Sequence, residues 1–161
     1  MVPLLEEDEV YLGAKAVLRS HGWILLGGQP PSGCDHLPVV EVKLPGRTGI
    51  GSKGAYKPDL VAAKDGIFML IECKPDHSPA DADKLREILR DSERISLLYQ
   101  ELSQRKLFER RGISAMKEEF CESVIGALAH SGTPRSMPDL ITISVRDISG
   151  VGEIIEPKRQ K

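Results

Sequence analysis

Asp59, Glu72 and Lys74 are the residues of this chain whose types and spacing could do chemistry together. They sit in Lys57-Pro-Asp-Leu-Val-Ala-Ala-Lys-Asp-Gly-Ile-Phe-Met-Leu-Ile-Glu-Cys-Lys-Pro75, which reads as two strands of a β-hairpin. Apolar β-formers flank Asp65-Gly66, the two-residue turn favoured between twisted strands. With that turn Lys64 faces Ile67, Ala62 faces Met69 and Asp59 faces Glu72. The last couple is predicted to be a non-hydrogen-bonded pair, with Cβ atoms roughly 4.5–5.5 Å apart. Strand period two puts Lys74 on the face of Glu72 and sends Cys73 to the other. Two carboxylates facing each other at the end of a buried hairpin repel, and a divalent cation relieves the repulsion. Asp and Glu oxygens suit a hard ion such as Mg²⁺ (or Mn²⁺), which keeps several waters and completes its shell from substrate phosphate. An adjacent ammonium can hold or activate one of those waters. The chemistry suggested is metal-assisted attack of water on a phosphodiester. The plain alternative is a surface ion pair at a strand end.

Pro58-Asp59, twelve intervening residues, then Glu72-Cys73-Lys74 resembles the signature of the PD-(D/E)xK nuclease superfamily. That group includes restriction endonucleases, Holliday-junction resolvases and many repair nucleases. The resemblance implies that Asp59 and Glu72 ligate the metal, helped by the backbone carbonyl of Cys73. It implies that Lys74 positions the attacking water and steadies developing charge. It also implies a further acid from the first helix, with Glu9 the candidate and Glu6 the second. The plain reading of both is that they complement the helix dipole. A Gln-x-x-x-Tyr pair, used by some branches on the helix after the hairpin, is absent, since Tyr99 precedes Gln100.

The elements that must position these residues can be read along the chain. Residues 4–21 are predicted to be a helix with Val10, Ala14, Val17 and Leu18 as its apolar stripe and Gly22 as its C-terminal cap. Trp23-Ile24-Leu25-Leu26 reads as a short buried strand, 29–38 as a loop, and Val39–Leu44 as the next strand. Cys34 and His36 have no second pair at a zinc-like spacing, so they read as a loop thiol and a surface histidine. The segment 45–55 contains Gly49-Ile-Gly51-Ser-Lys-Gly54, a literal G-x-G-x-x-G, and an approximate P-loop. Both lead through Pro58 into a strand, whereas phosphate cradles of that kind need a helix N-terminus. A mobile loop is the expectation there. Arg47, Lys53 and Lys57 are candidates for reaching DNA phosphates from it, with Lys57 opposite Lys74.

After the hairpin a long helix is predicted over 80–104, extending towards 111, with Leu85, Ile88, Leu89, Ile95, Leu98 and Leu102 inward. Its charges, basic and acidic interleaved, read as a salt-bridged outer face. A further helix is predicted over 115–130, with Met116, Phe120, Val124 and Leu128 buried, and a strand over 140–145. The pair Pro138-Asp139 and Glu156-Pro157-Lys158 echoes the hairpin motif. Pro157 cannot donate to a central ladder, so this copy reads as accidental.

At 161 residues, 40% apolar and 29% charged, the chain is expected to be one domain with a substantial core, 157–161 being a flexible basic tail. The formal net charge of −2 does not advertise a nucleic-acid binder, although a local basic surface can coexist with it. No apolar run approaches the ~20 residues that span a bilayer. The acidic N-terminus does not read as a secretory signal, and three cysteines without paired spacing suggest reduced thiols and a cytoplasmic setting. The core order α-β-β-β-α-α-β, with a short last strand in addition, reads as an α/β protein with a central mixed sheet between helices. That order is similar to the restriction-endonuclease-like fold. The implied function is a metal-dependent endodeoxyribonuclease of restriction or repair type, as a homodimer or with a partner subunit supplying specificity. The alternatives are a resolvase-like dimer and a non-catalytic nuclease-fold scaffold.

Overall fold

A computed structural model of the chain describes residues 3–31, 33, 35–43 and 55–157. The first helix, α1, spans Glu7–Ser20, three residues shorter at its start than the apolar pattern suggests. Glu6 and Glu9 set that start as a capping pair, with Glu9 Oε1 accepting the Glu6 N–H at 3.0 Å. Gly22, at φ +85°, lets the chain reverse so that the Trp23 N–H bonds the Leu18 carbonyl. Strand β1 (Ile24–Gly28) follows, then the hairpin strands β2 (Leu60–Lys64) and β3 (Ile67–Lys74). Asp65 and Gly66 both have positive φ, the conformation of a tight primed turn, and Leu60↔Ile71 through Lys64↔Ile67 keep the predicted register.

Three further strands complete the sheet: β4 (Val124–His130), β5 (Ile141–Val145) and β6 (Gly152–Ile155). The spatial order is β1-β2-β3-β4-β5-β6. Pairing is antiparallel among the first three, parallel for β3–β4 and β4–β5, and antiparallel again for β5–β6. Before β4 come α2 (Pro79–Arg90), α3 (Ser92–Gln104), α4 (Leu107–Arg110) and α5 (Lys117–Glu122). Helix α1 packs Val10, Ala14, Val17 and Leu18 on one sheet face with Leu60, Met69, Ile71 and Ile143. Helices α2 and α3 pack Leu85, Ile88, Leu98 and Leu102 on the other, with Val61, Phe68, Leu70 and Leu128. The result is a mixed six-stranded sheet between helical layers. Among the described residues no helix is long and apolar enough to cross a membrane.

Three sequence expectations change. Among the described residues, the strand expected at 39–44 reduces to the bridge Val42↔Tyr56, beside a bond from the Gly28 N–H to the Pro38 carbonyl. Pro38 at the start of this segment has no N–H to give to a longer ladder. The long helix is broken at Asp91, whose extended backbone ends α2 while its carboxylate accepts from the N–H groups of Glu93 and Arg94 to start α3. It is broken again at Lys106, which adopts a left-handed φ of 58°. The helix expected over 115–130 is only α5; its second half is the central strand β4, and Met116 is exposed. A short, wholly apolar run fits either period, and here Val124, Ile125 and Gly126 favour the strand. A Cβ on Gly126 would lie 2.9 Å from Leu89 Cδ1 and 3.0 Å from Leu140 Cδ2, so its absence lets α2 sit close on the sheet.

Candidate functional site

Asp59 stands one residue before β2 and Glu72 near the end of β3, so the hairpin register brings them face to face at the strand ends away from the turn. Asp59 Oδ2 accepts the Cys73 N–H at 2.8 Å, which ties the carboxylate across the two strands.

Glu72 is 4% exposed, and its Oε1 is buried without a hydrogen-bond partner. Burial, then the charge of Asp59, pushes the Glu72 carboxyl up to about 8. Burial raises Asp59 as well, against the pull of the Cys73 N–H. Lys74 is paired with Glu7 Oε1 at 3.1 Å and lies 3.9 Å from Asp81 Oδ2. Its bond to Glu7 raises its pKa, which favours the ammonium form. Two groups complete the surroundings. Lys84 of α2 places Nζ 3.5 Å from Glu72 Oε1. Tyr56 is buried with its hydroxyl unpartnered, and burial followed by the charges of Glu72 and Asp59 raises its pKa.

The first-helix acid at this place is Glu7, not Glu9, whose carboxylate is engaged at the helix cap. Capping spacing, Glu6-x-x-Glu9, was the available sign that Glu9 is occupied. Lys57, expected opposite Lys74, has its Nζ 3.9 Å from Glu41 Oε2. Arg47, Lys53 and Cys34 lie outside the described residues, as do the glycine loop over 44–54 and the tail over 158–161. His36 is a surface group beside Asp35, at 2.7 Å. The echo of the motif is spent elsewhere: Asp139 takes two bonds from Arg86, at 2.7 and 3.0 Å, and Glu156 is exposed. A cavity of about 410 Å³ lies apart from the carboxylates, between Glu41–Lys43 and α3.

Among the described residues no group of three or more His, Cys, Asp or Glu side chains is gathered as a ready-made metal cage. A hard cation that keeps several waters does not require one. What is present fits such an ion: the half-buried Asp59 beside the buried Glu72, both carboxyls raised above their ordinary range, and a buried Glu72 oxygen without a hydrogen bond. No family profile, curated protein or solved structure matches this chain.

Proposed function

We propose that this chain is a metal-dependent endodeoxyribonuclease that hydrolyses the phosphodiester bonds of DNA. The observation that carries the reading is the half-buried Asp59 set against the buried Glu72, with Lys74 beside them at one end of the hairpin. The sheet order, with the hairpin central and helices on both faces, is also what the PD-(D/E)xK resemblance implies. Asp59, Glu72 and the Cys73 carbonyl would hold Mg²⁺ or Mn²⁺. Bound there, the ion would neutralise charge on the scissile phosphate and make a water acidic enough to attack it.

The chain's own contributions follow from the site. The Asp59 bond to Cys73 fixes the carboxylate at the strand end, and the packed sheet fixes Glu72 opposite it. Lys74, held charged by Glu7, supplies hydrogen-bond donors that orient a water or a phosphate oxygen and offset the growing negative charge. DNA is the substrate class, and a formal net charge of −2 makes a second copy or a partner subunit a reasonable source of further phosphate contacts.

The test is incubation with plasmid, linear, single-stranded and four-way-junction DNA, with Mg²⁺ or Mn²⁺ and with EDTA, beside Asp59→Ala and Lys74→Ala. Cleavage should need the metal and should fall by at least about a hundredfold in each variant. The preferred substrate would identify the branch. Failure of the wild type to cut any of them, with both variants folded, would favour the non-catalytic scaffold.

A further inference from the structure

We propose that Lys84 is the resident counter-cation of the carboxylate pair: it holds Glu72 when no metal is bound and yields that place to a divalent cation. This rests on the reading of Asp59 and Glu72 as a cation site. Helix α2 is set by Ser78, whose hydroxyl accepts the Asp81 N–H, and by Pro79 in its first turn. With Ala82, Leu85 and Ile88 facing the core, Asp81 and Lys84 come together on one edge of the helix, one turn apart. That edge overhangs the end of β3. Asp81 reaches towards Lys74 and Lys84 towards Glu72, so each charge of the strand meets its opposite on the helix.

The Lys84 contact has the character of a placeholder. At 3.5 Å its ammonium supplies charge, but Glu72 Oε1 is left with no hydrogen bond. The lysine side chain is 54% exposed, whereas Glu72 is buried. Its head also lies 5.6 Å from the centre of the Tyr56 ring, a second shallow resting contact. A divalent ion shared by Asp59 and Glu72 would repel an ammonium left at this distance, and the flexible stem can carry it outward.

Removing Lys84 should therefore tighten cation binding, the opposite of what loss of a ligand or of a supporting residue would do. Mn²⁺ would be titrated calorimetrically into the wild type and into Lys84→Gln, Lys84→Met, Lys84→Arg and Lys117→Gln at fixed pH and ionic strength. Lys117 is exposed on α5, which leads into the opposite end of β4, and controls for overall charge. The Gln and Met variants should bind Mn²⁺ about two- to fivefold more tightly, the factor a half-exposed ion pair is worth. The Arg and Lys117 variants should match the wild type. Unchanged or weaker binding in both neutral Lys84 variants would overturn the proposal while leaving the cation site standing. If the wild type gives no binding that Asp59→Ala abolishes, the cation site falls and the proposal with it.

Discussion

Glu72 carries the sharpest physical consequence of the site, because a buried carboxyl raised to about 8 weakens the fold whenever it ionises. Its value in the unfolded chain is near 4.5, so the folded protein binds more protons between these limits. Stability from this group is complete below about 4.5 and is lost as pH rises through about 8. In EDTA, the urea midpoint of the wild type should therefore fall across that window, while Glu72→Gln should show a flatter profile. Parallel profiles would mean that Glu72 is not held in its neutral form. Asp35 behaves in the opposite sense. Burial pushes it up, but hydrogen bonds from Lys15, the His36 N–H and Tyr11 bring it down to about 2. Its contribution is present above the ordinary 3.8 and lost as pH falls through about 2. Asp59, Glu72 and Lys74 were legible in the sequence because a two-residue turn and strand alternation relate them through local geometry alone. Glu7, Tyr56 and Lys84 were not, because only packing of α1, the 42–56 bridge and α2 brings them to the strand ends.

At the scale of elements, helix and strand starts follow from single residues. Asp91 both closes α2 and caps α3, so Asp91→Ala should cost about 1 kcal/mol in urea denaturation, with α3 losing its first two cap bonds. Gly126 is the position where α2 meets β4. Gly126→Val should destabilise by about 1–3 kcal/mol, since its side chain would enter space held by Leu89 and Leu140. A neutral effect would show that α2 can shift without loss. These two residues also explain what pattern reading missed. The apolar repeat over 80–104 continues through Asp91 and hides the break, and the run Val124–His130 satisfies a helical stripe as readily as a buried strand. The hairpin was readable because Asp65-Gly66 marks its turn and both of its faces are apolar.

For the whole molecule, the helix–sheet–helix layering was legible from element order, whereas the membership of the six-stranded sheet was not. Strand β4 was concealed in an expected helix, and the strand expected at 39–44 is, among the described residues, the bridge Val42↔Tyr56. The central hairpin links the site to global stability, since β3 pairs with β2 on one side and β4 on the other. Saturating Mn²⁺, at about a hundred times its Kd, should stabilise the fold by about 2.7 kcal/mol. For a chain of this size that corresponds to a rise in Tm of about 5–10 °C. The rise should vanish in Asp59→Ala.

The most direct measurement is Mg²⁺-dependent nicking of supercoiled plasmid by the wild type and by Glu72→Gln, prepared in parallel and matched for folding by circular dichroism. The exchange removes the ability of this position to ionise towards a cation, with almost no change in volume. The wild type should convert the plasmid to open-circular and linear forms, with no conversion in EDTA, and Glu72→Gln should be slower by at least about a hundredfold. Equal rates in the two proteins, or cleavage that persists in EDTA, would contradict a nuclease site built on Asp59 and Glu72.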